Sequence, residues 1–307
     1  MKIPSTRPWR PLLAEIFVSP SEPRLRAGWR LTLQVILQSV LMAAAGVALV
    51  VALPSVMTGT LSSFAETELM ASQIAELAAV TASIYLVRRI LDRRSFPSLG
   101  LQLERMALVD FVLGIAITFL MMGLIFSLEW LLGWLEPTGF AWQFQSWSEV
   151  LGEVGLFLIV CLMVGWNEEL MSRGYHLQTI ASGTTLTLGW IISSTAFGLL
   201  HLANPHANLV AVIGILLAGL FLGYAYIRTG RLWLSIGLHT GWNFFEGVVF
   251  GFPVSGLPFY RLMRTSITGP ETWTGGAFGP EAGLVLIPSL ALGTALIFLY
   301  SKHRGRA

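Results

Sequence analysis

The chain has 307 residues, 54% hydrophobic and only 12% charged, with a formal net charge of +2 and a mean hydropathy of +0.70. A soluble domain carries about a quarter charged residues, so the composition excludes a soluble enzyme with a large core and points to a polytopic membrane protein. Nothing in it reads as a nucleic-acid-binding module. The single cysteine, Cys161, allows no internal disulfide and reads as a small buried hydrophobe inside an apolar run.

The first 30 residues hold Pro4, Pro8, Pro11, Pro20 and Pro23 and no compact apolar core, so they do not read as a cleavable signal. Trp9, Leu12, Leu13, Ile16 and Phe17, beside Arg7 and Arg10, suit either a segment lying on the membrane surface or a basic tail. Eight runs of spanning length follow: about Trp29–Leu53, Met70–Leu91, Ala107–Leu128, Leu151–Ile180, Thr184–Ala203, Leu209–Arg228, Leu232–Phe252 and Ala282–Tyr300. The Gly- and Pro-rich stretch Gly251–Gly283 reads as a loop. The expected fold is an all-α membrane bundle of about eight transmembrane helices. It divides into a tail (1–28), N-terminal helices (29–149), a catalytic core (150–252), and an outer loop with the last helix and a basic tail (253–307).

Lys and Arg gather in the N-terminal tail, the 88–105 loop, the 228–231 turn and the C-terminus. With eight spans these fall on one side, which places both termini in the cytoplasm of a cell-membrane protein. The 54–69 and 129–150 loops carry Glu66, Glu68, Glu129, Glu136 and Glu149 and no Lys or Arg. Trp130, Trp134, Trp142 and Trp147 then form an outer interfacial belt.

Ionisable groups at membrane depth are costly and mark function. Trp166-Asn167-Glu168-Glu169-Leu170-Met171-Ser172-Arg173-Gly174 places two carboxylates and a guanidinium after the apolar run Val154–Gly165. On a helix Glu169 and Arg173 are four apart, in the favourable order for an ion pair. Glu168 is rotated about 100° from Glu169, free to face another space as a general base that takes a proton from water and returns it. The bland alternative is an ion-pair cluster that pins helices together. His201 follows Phe197 by four residues, and His239 precedes Asn243 by four, so the last two share a face and can donate two hydrogen bonds to an oxyanion. Glu168, His201 and His239 are also a metal-like set, which leaves a divalent ion such as zinc open, although there is no H-E-x-x-H spacing. His206, Glu76, Asp110, His176 and Glu246 receive bland readings: a solvated turn, span ends, an interfacial position and a supporting carboxylate.

Taken together, Glu168-Glu169-x-x-x-Arg173, Phe197-x-x-x-His201 and His239-x-x-x-Asn243 on successive apolar runs resemble the CPBP family of CAAX prenyl endopeptidases and Abi-type membrane proteins. Phe96-Pro97-Ser98-Leu99-Gly100-Leu101 resembles another recurring feature of that family. The resemblance implies an intramembrane endopeptidase acting on a peptide or protein substrate, lipidated in the best-known members. It implies that Glu168 activates water with help from His201, that Glu169 and Arg173 hold local geometry, and that His239 and Asn243 form the oxyanion hole. The family's two labels, metalloprotease and glutamate-dependent protease, both stay open here. A proton-coupled transporter and a non-catalytic scaffold or immunity protein are the competing readings.

One expectation is strained. Counted from Leu151, Glu168 lies about 25 Å down its helix and His201 at the far end of the next span, so the two meet only if the fourth helix is tilted or displaced.

Overall fold

The computed structural model describes residues 16–19, 22–52 and 64–304. Trp9, Leu12 and Leu13 lie outside them, as do most of the 54–69 loop and its acidic side chains. The fold is an all-helical membrane bundle. We label the helices α1 (Ala27–Ala52), α2 (Phe64–Ile90), α3 (Arg105–Leu131), α4 (Trp147–Gly183), α5 (Leu186–Leu200), α6 (Leu209–Thr229), α7 (Leu232–Asn243) and α8 (Leu286–Arg304). Among the described residues seven helices are long and apolar enough to cross a membrane. The eighth expected span is α7, twelve α-helical residues that continue into a π-helix, Phe244–Val249.

Local signals set the ends. Ser146 caps α4 by accepting from the Glu149 backbone N–H, while the Glu149 carboxylate accepts from the Ser146 N–H at 2.8 Å. Asn208 caps α6 by accepting from the Ala211 N–H at 2.9 Å. Gly230, at φ 67°, ends α6 in the left-handed conformation that glycine adopts without cost.

The short α7 is the axis of the bundle. Every residue from Leu234 to Asn243 is buried. Small residues let its backbone meet α3: a Cβ on Gly237 would stand 2.2 Å from the Phe111 carbonyl oxygen, and one on Gly241 2.1 Å from Thr118 Oγ1. The Phe96–Leu101 segment seats the start of this axis. The Leu232 N–H donates to the Gly100 carbonyl at 2.9 Å, and Leu99 and Leu101 are buried in the cluster that holds Leu170, Tyr175 and Ile236.

Helix α4 is continuous but not uniformly α. Residues Leu170–Leu177 form a π-helix between the α segments Trp147–Glu169 and Gln178–Gly183. The expected start at Leu151 is therefore corrected to Trp147 and the end to Gly183. The α3–α4 connection and the Gly251–Gly283 stretch are also more ordered than the loop reading allowed. Strands β1 (Leu135–Phe140) and β2 (Met263–Ile267) pair antiparallel, with Leu135 opposite Ile267 and a bulge between Pro137 and Gly139. Phe140, Trp142 and Trp147 stack in sequence beside this sheet at centroid spacings of 4.5 and 5.6 Å.

Candidate active site

The hairpin of α4 and α5 resolves the strain in depth. Glu168 lies fifteen residues before Gly183, and His201 fifteen after Leu186. Both are then about 22 Å of helix from the same turn. The relevant origin is the turn shared by the two helices, not the Trp147 end of α4.

From there the groups converge. Glu168 Oε2 stands 3.9 Å from His201 Nε2 and 3.8 Å from His239 Nε2. Glu169 is fully buried and turned away from this point: its Oε1 accepts from Arg173 Nη1 at 2.7 Å and lies 2.8 Å from His239 Nδ1. Arg173 is fixed from three sides. Its Nη2 donates to the Gly219 carbonyl at 3.0 Å, and its guanidinium lies 4.4 Å from the centre of the Phe197 ring. The same ring is 4.8 Å from the His201 imidazole and meets His239 edge-on at 6.1 Å. Phe197 is thus the spacer between the arginine and both histidines, a position that the motif marks and periodicity alone does not.

Hydrogen-bond partners set the tautomers. His201 Nδ1 is 2.8 Å from the Phe197 carbonyl oxygen, which can only accept, so Nδ1 carries the proton. His239 Nδ1 faces the Glu169 carboxylate and carries one for the same reason. A neutral imidazole at either place presents an Nε2 lone pair to the Glu168 side. It becomes a donor there only once protonated.

These groups open onto a cavity of about 810 Å³, within the range of ligand sites. Asn243 faces it from α7, Glu76 and Gln73 from α2, and Gln38 from α1. Its described lining contains no Lys or Arg. The structure corrects the readings of Glu76 and His176 and agrees with those of His206 and Asp110. Glu76 is part of the cavity wall rather than a snorkelling span end. His176, placed at the interface by sequence, has its Nε2 3.0 Å from Gln34 Oε1 and also lines the cavity. His206 lies on an exposed turn at φ 59°, away from the cluster. Asp110 is buried and accepts from the Tyr300 hydroxyl at 2.6 Å.

The loop after α7 supplies a group that sequence reasoning missed. Glu281 lines the cavity and accepts from Ser255 Oγ at 2.5 Å and from Trp242 Nε1 at 3.2 Å, while Asn204 Nδ2 donates to the Ser255 carbonyl at 3.0 Å. Burial pushes the Glu281 carboxyl above the ordinary range, and the Ser255 hydrogen bond opposes that. Its signal was a carboxylate in Gly279-Pro280-Glu281, read only as loop. Glu246, read as a supporting carboxylate, is wholly buried next to Gly279, whose added Cβ would lie 3.3 Å from Glu246 Oε1.

The three metal-like groups do not close a ligand shell as placed. Ligand atoms around a tetrahedral zinc with bonds of about 2.0–2.2 Å sit about 3.4 Å apart, and both Glu168–imidazole separations exceed that. Among the described residues no group of three or more His, Cys, Asp or Glu is arranged to hold a metal ion.

Comparison with known proteins agrees with the resemblance carried by the motifs. Residues 150–245 match the family model described as type II CAAX prenyl endopeptidase Rce1-like. The chain is 32% identical over 115 residues to the Bacillus subtilis (strain 168) protein named "Uncharacterized protein YyaK", covering 36% of this chain and 38% of that one. It is 30% identical over 102 residues to "Putative membrane peptidase YdiL" of the same organism, covering 33% of this chain and 40% of that one. The matches therefore span about two fifths of those relatives. No solved structure matches.

Proposed function

We propose that this multi-pass membrane protein is an intramembrane endopeptidase that hydrolyses a peptide bond with glutamate-activated water, its substrate a peptide or protein segment, lipidated or not. The observation that carries this reading is the convergence of Glu168, His201 and His239, from three helices, at 3.8–3.9 Å on the wall of a cavity at membrane depth. That spacing is too long for a direct hydrogen bond and suits one water between the groups.

In this reading water gives a proton to Glu168 as its oxygen attacks the scissile carbonyl carbon. His201, its Nδ1 held by the Phe197 carbonyl, turns Nε2 toward Glu168 and orients that water. His239 is held by Glu169 at its Nδ1, which aims Nε2 at the cavity; when protonated there, it donates to the developing oxyanion alongside the Asn243 amide. The C–N bond then breaks, and Glu168 returns its proton to the leaving amine. Glu169 acts through His239 and Arg173 and is a positioning residue. Each step uses groups of the chain itself, and none is routed through a metal. Both termini lie on the cytoplasmic side, by the distribution of Lys and Arg.

The test compares the membrane proteomes of cells expressing wild-type protein and Glu168→Ala. Uncut membrane peptides accumulating only with the variant are the expected result. Identical peptide profiles, with both proteins folded and equally abundant, would overturn the reading.

A further inference from the structure

A second buried ionic cluster lies at the end of the bundle where α1 begins and α2 ends. Arg30, Arg88 and Arg24 converge on one carboxylate, Asp92, whose side chain is fully buried. Arg30 Nη1 bonds to its Oδ1, Arg88 Nη1 donates to its Oδ2 at 3.1 Å, and Arg24 Nη1 stands 3.7 Å from Oδ1. Glu22 pairs with Arg24 at 2.5 Å and with Arg94 at 3.5 Å. Glu104, just before α3, is taken by Arg231 at 2.6 Å. Among the described residues four guanidinium groups therefore share two carboxylates; Arg94 and Glu22 are 50% and 40% exposed, so three buried guanidinium groups stand against one buried carboxylate. The Arg24 and Arg30 side chains are only 6% and 3% exposed. A surplus of buried cations is costly unless an anion matches it.

The four arginines border a cavity of about 220 Å³. Its opposite wall is the last turn of α4, with the hydroxyls of Thr179 and Ser182, and the latter already accepts from Arg30 Nη2 at 2.7 Å. Ser182 Oγ itself donates to the Thr179 carbonyl at 2.7 Å, so it orients Arg30 and leaves the guanidinium forks as the donors, the chemistry that binds phosphate oxygens. The level is also right: the walls are the ends of spans, where headgroups lie. Leu186, 51% exposed, is the apolar part of its rim.

We propose that the pocket between Arg24, Arg30, Arg94 and Ser182 is a binding site for a phosphate group at the membrane interface, the headgroup of an anionic phospholipid or a soluble phosphate. A phosphodiester supplies one negative charge and a phosphomonoester up to two, against a surplus of two. Such a ligand ties the start of α1, the α2–α3 connection and the end of α4 together, without contact with the catalytic cavity.

The experiment exposes the full-length protein to vesicles of mixed phosphatidylcholine and phosphatidylglycerol, solubilises it and reads retained lipid by native mass spectrometry. The wild type is expected to retain phosphatidylglycerol in excess. The double variant R24Q/R94Q, which leaves Arg30 and Arg88 on Asp92, is expected to fall to the phosphatidylcholine level. R89Q removes an exposed arginine on the same end and is expected to retain lipid as the wild type does. Inorganic phosphate and glycerol 3-phosphate separate the two sources. Displacement of the retained lipid by either assigns the site to the headgroup phosphate. A rise in melting temperature with either, without lipid retention, assigns it to a soluble phosphate. If the double variant does not fold, these wild-type arms still decide. The proposal is overturned if the wild type shows neither preferential retention nor stabilisation by phosphate. It is equally overturned if R89Q loses as much lipid as R24Q/R94Q, since retention would then reflect diffuse surface charge.

Discussion

Among the described residues two arginine–carboxylate clusters are buried, and they solve the problem of charge in a membrane differently. Around Glu169 each member has a partner inside the chain: Arg173 on one side, His239 on the other, and the Phe197 ring over the guanidinium. Around Asp92 the guanidinium groups outnumber the carboxylates, and the remainder faces a cavity. The first cluster is closed, and its net effect is to aim one imidazole at Glu168. The second is open and looks outward for an anion. The lesson is that buried charge alone does not distinguish a structural brace from a ligand site. The count of partners does.

Variants can break this comparison in order of effect. Glu168→Ala takes away the proposed base without touching the closed cluster, so turnover is expected to fall by about 10²–10⁴ while the melting temperature stays at the wild-type value. A parallel loss of both would make Glu168 a structural residue. Glu169→Gln does the reverse. It leaves Arg173 without its counter-charge, and breaking a buried pair costs about 3–5 kcal/mol, so a large drop in the unfolding midpoint accompanies the loss of activity. A variant of ordinary stability would show that Arg173 finds compensation elsewhere. Asn243→Ala is expected to lower kcat by about 10²–10³ with little change in KM, because an oxyanion donor acts in the transition state. An effect confined to KM would move Asn243 into substrate binding. Glu104→Gln removes the partner of Arg231 in a pair whose carboxylate side chain is 57% exposed, and thermal denaturation should register at most about 1 kcal/mol. Finally, chelator treatment of the purified protein should leave turnover unchanged, since the proposed steps use only protein groups. Loss of turnover that zinc restores would transfer Glu168, His201 and His239 to metal ligation.

Much of the fold was legible because a bilayer imposes a minimum length on apolar runs, and the i,i+4 relation of Glu169 and Arg173 follows from helix geometry alone. The meeting of Glu168 with His201 was not legible, because span ends are poorly marked by hydropathy and the depth count began at the wrong end of α4. The role of Glu169 toward His239 was hidden as well. Spacing relates residues of one helix, while that contact joins positions 70 apart. Strand β1 carries Pro137 and Gly139 and shows no alternation of apolar and polar residues, so nothing in its sequence separates it from a loop. Glu281 was missed for a related reason: its burial comes from Ser255 and Trp242 closing over it, long-range packing that no local pattern encodes.

The π-helix Leu170–Leu177 lies between Glu169 and the α segment Gln178–Gly183 that walls the basic pocket. Its wide turns hold a residue more than an α-helix would for the same hydrogen-bonded step. Chain length there fixes the angle between the catalytic face upstream and the arginine-facing turn downstream. Tightening the stretch to regular α-helix at its present length would turn one half against the other by about 100°, the angle of the extra residue. For this stretch, side-chain exchange is a local event, and a change of helix type is a global one.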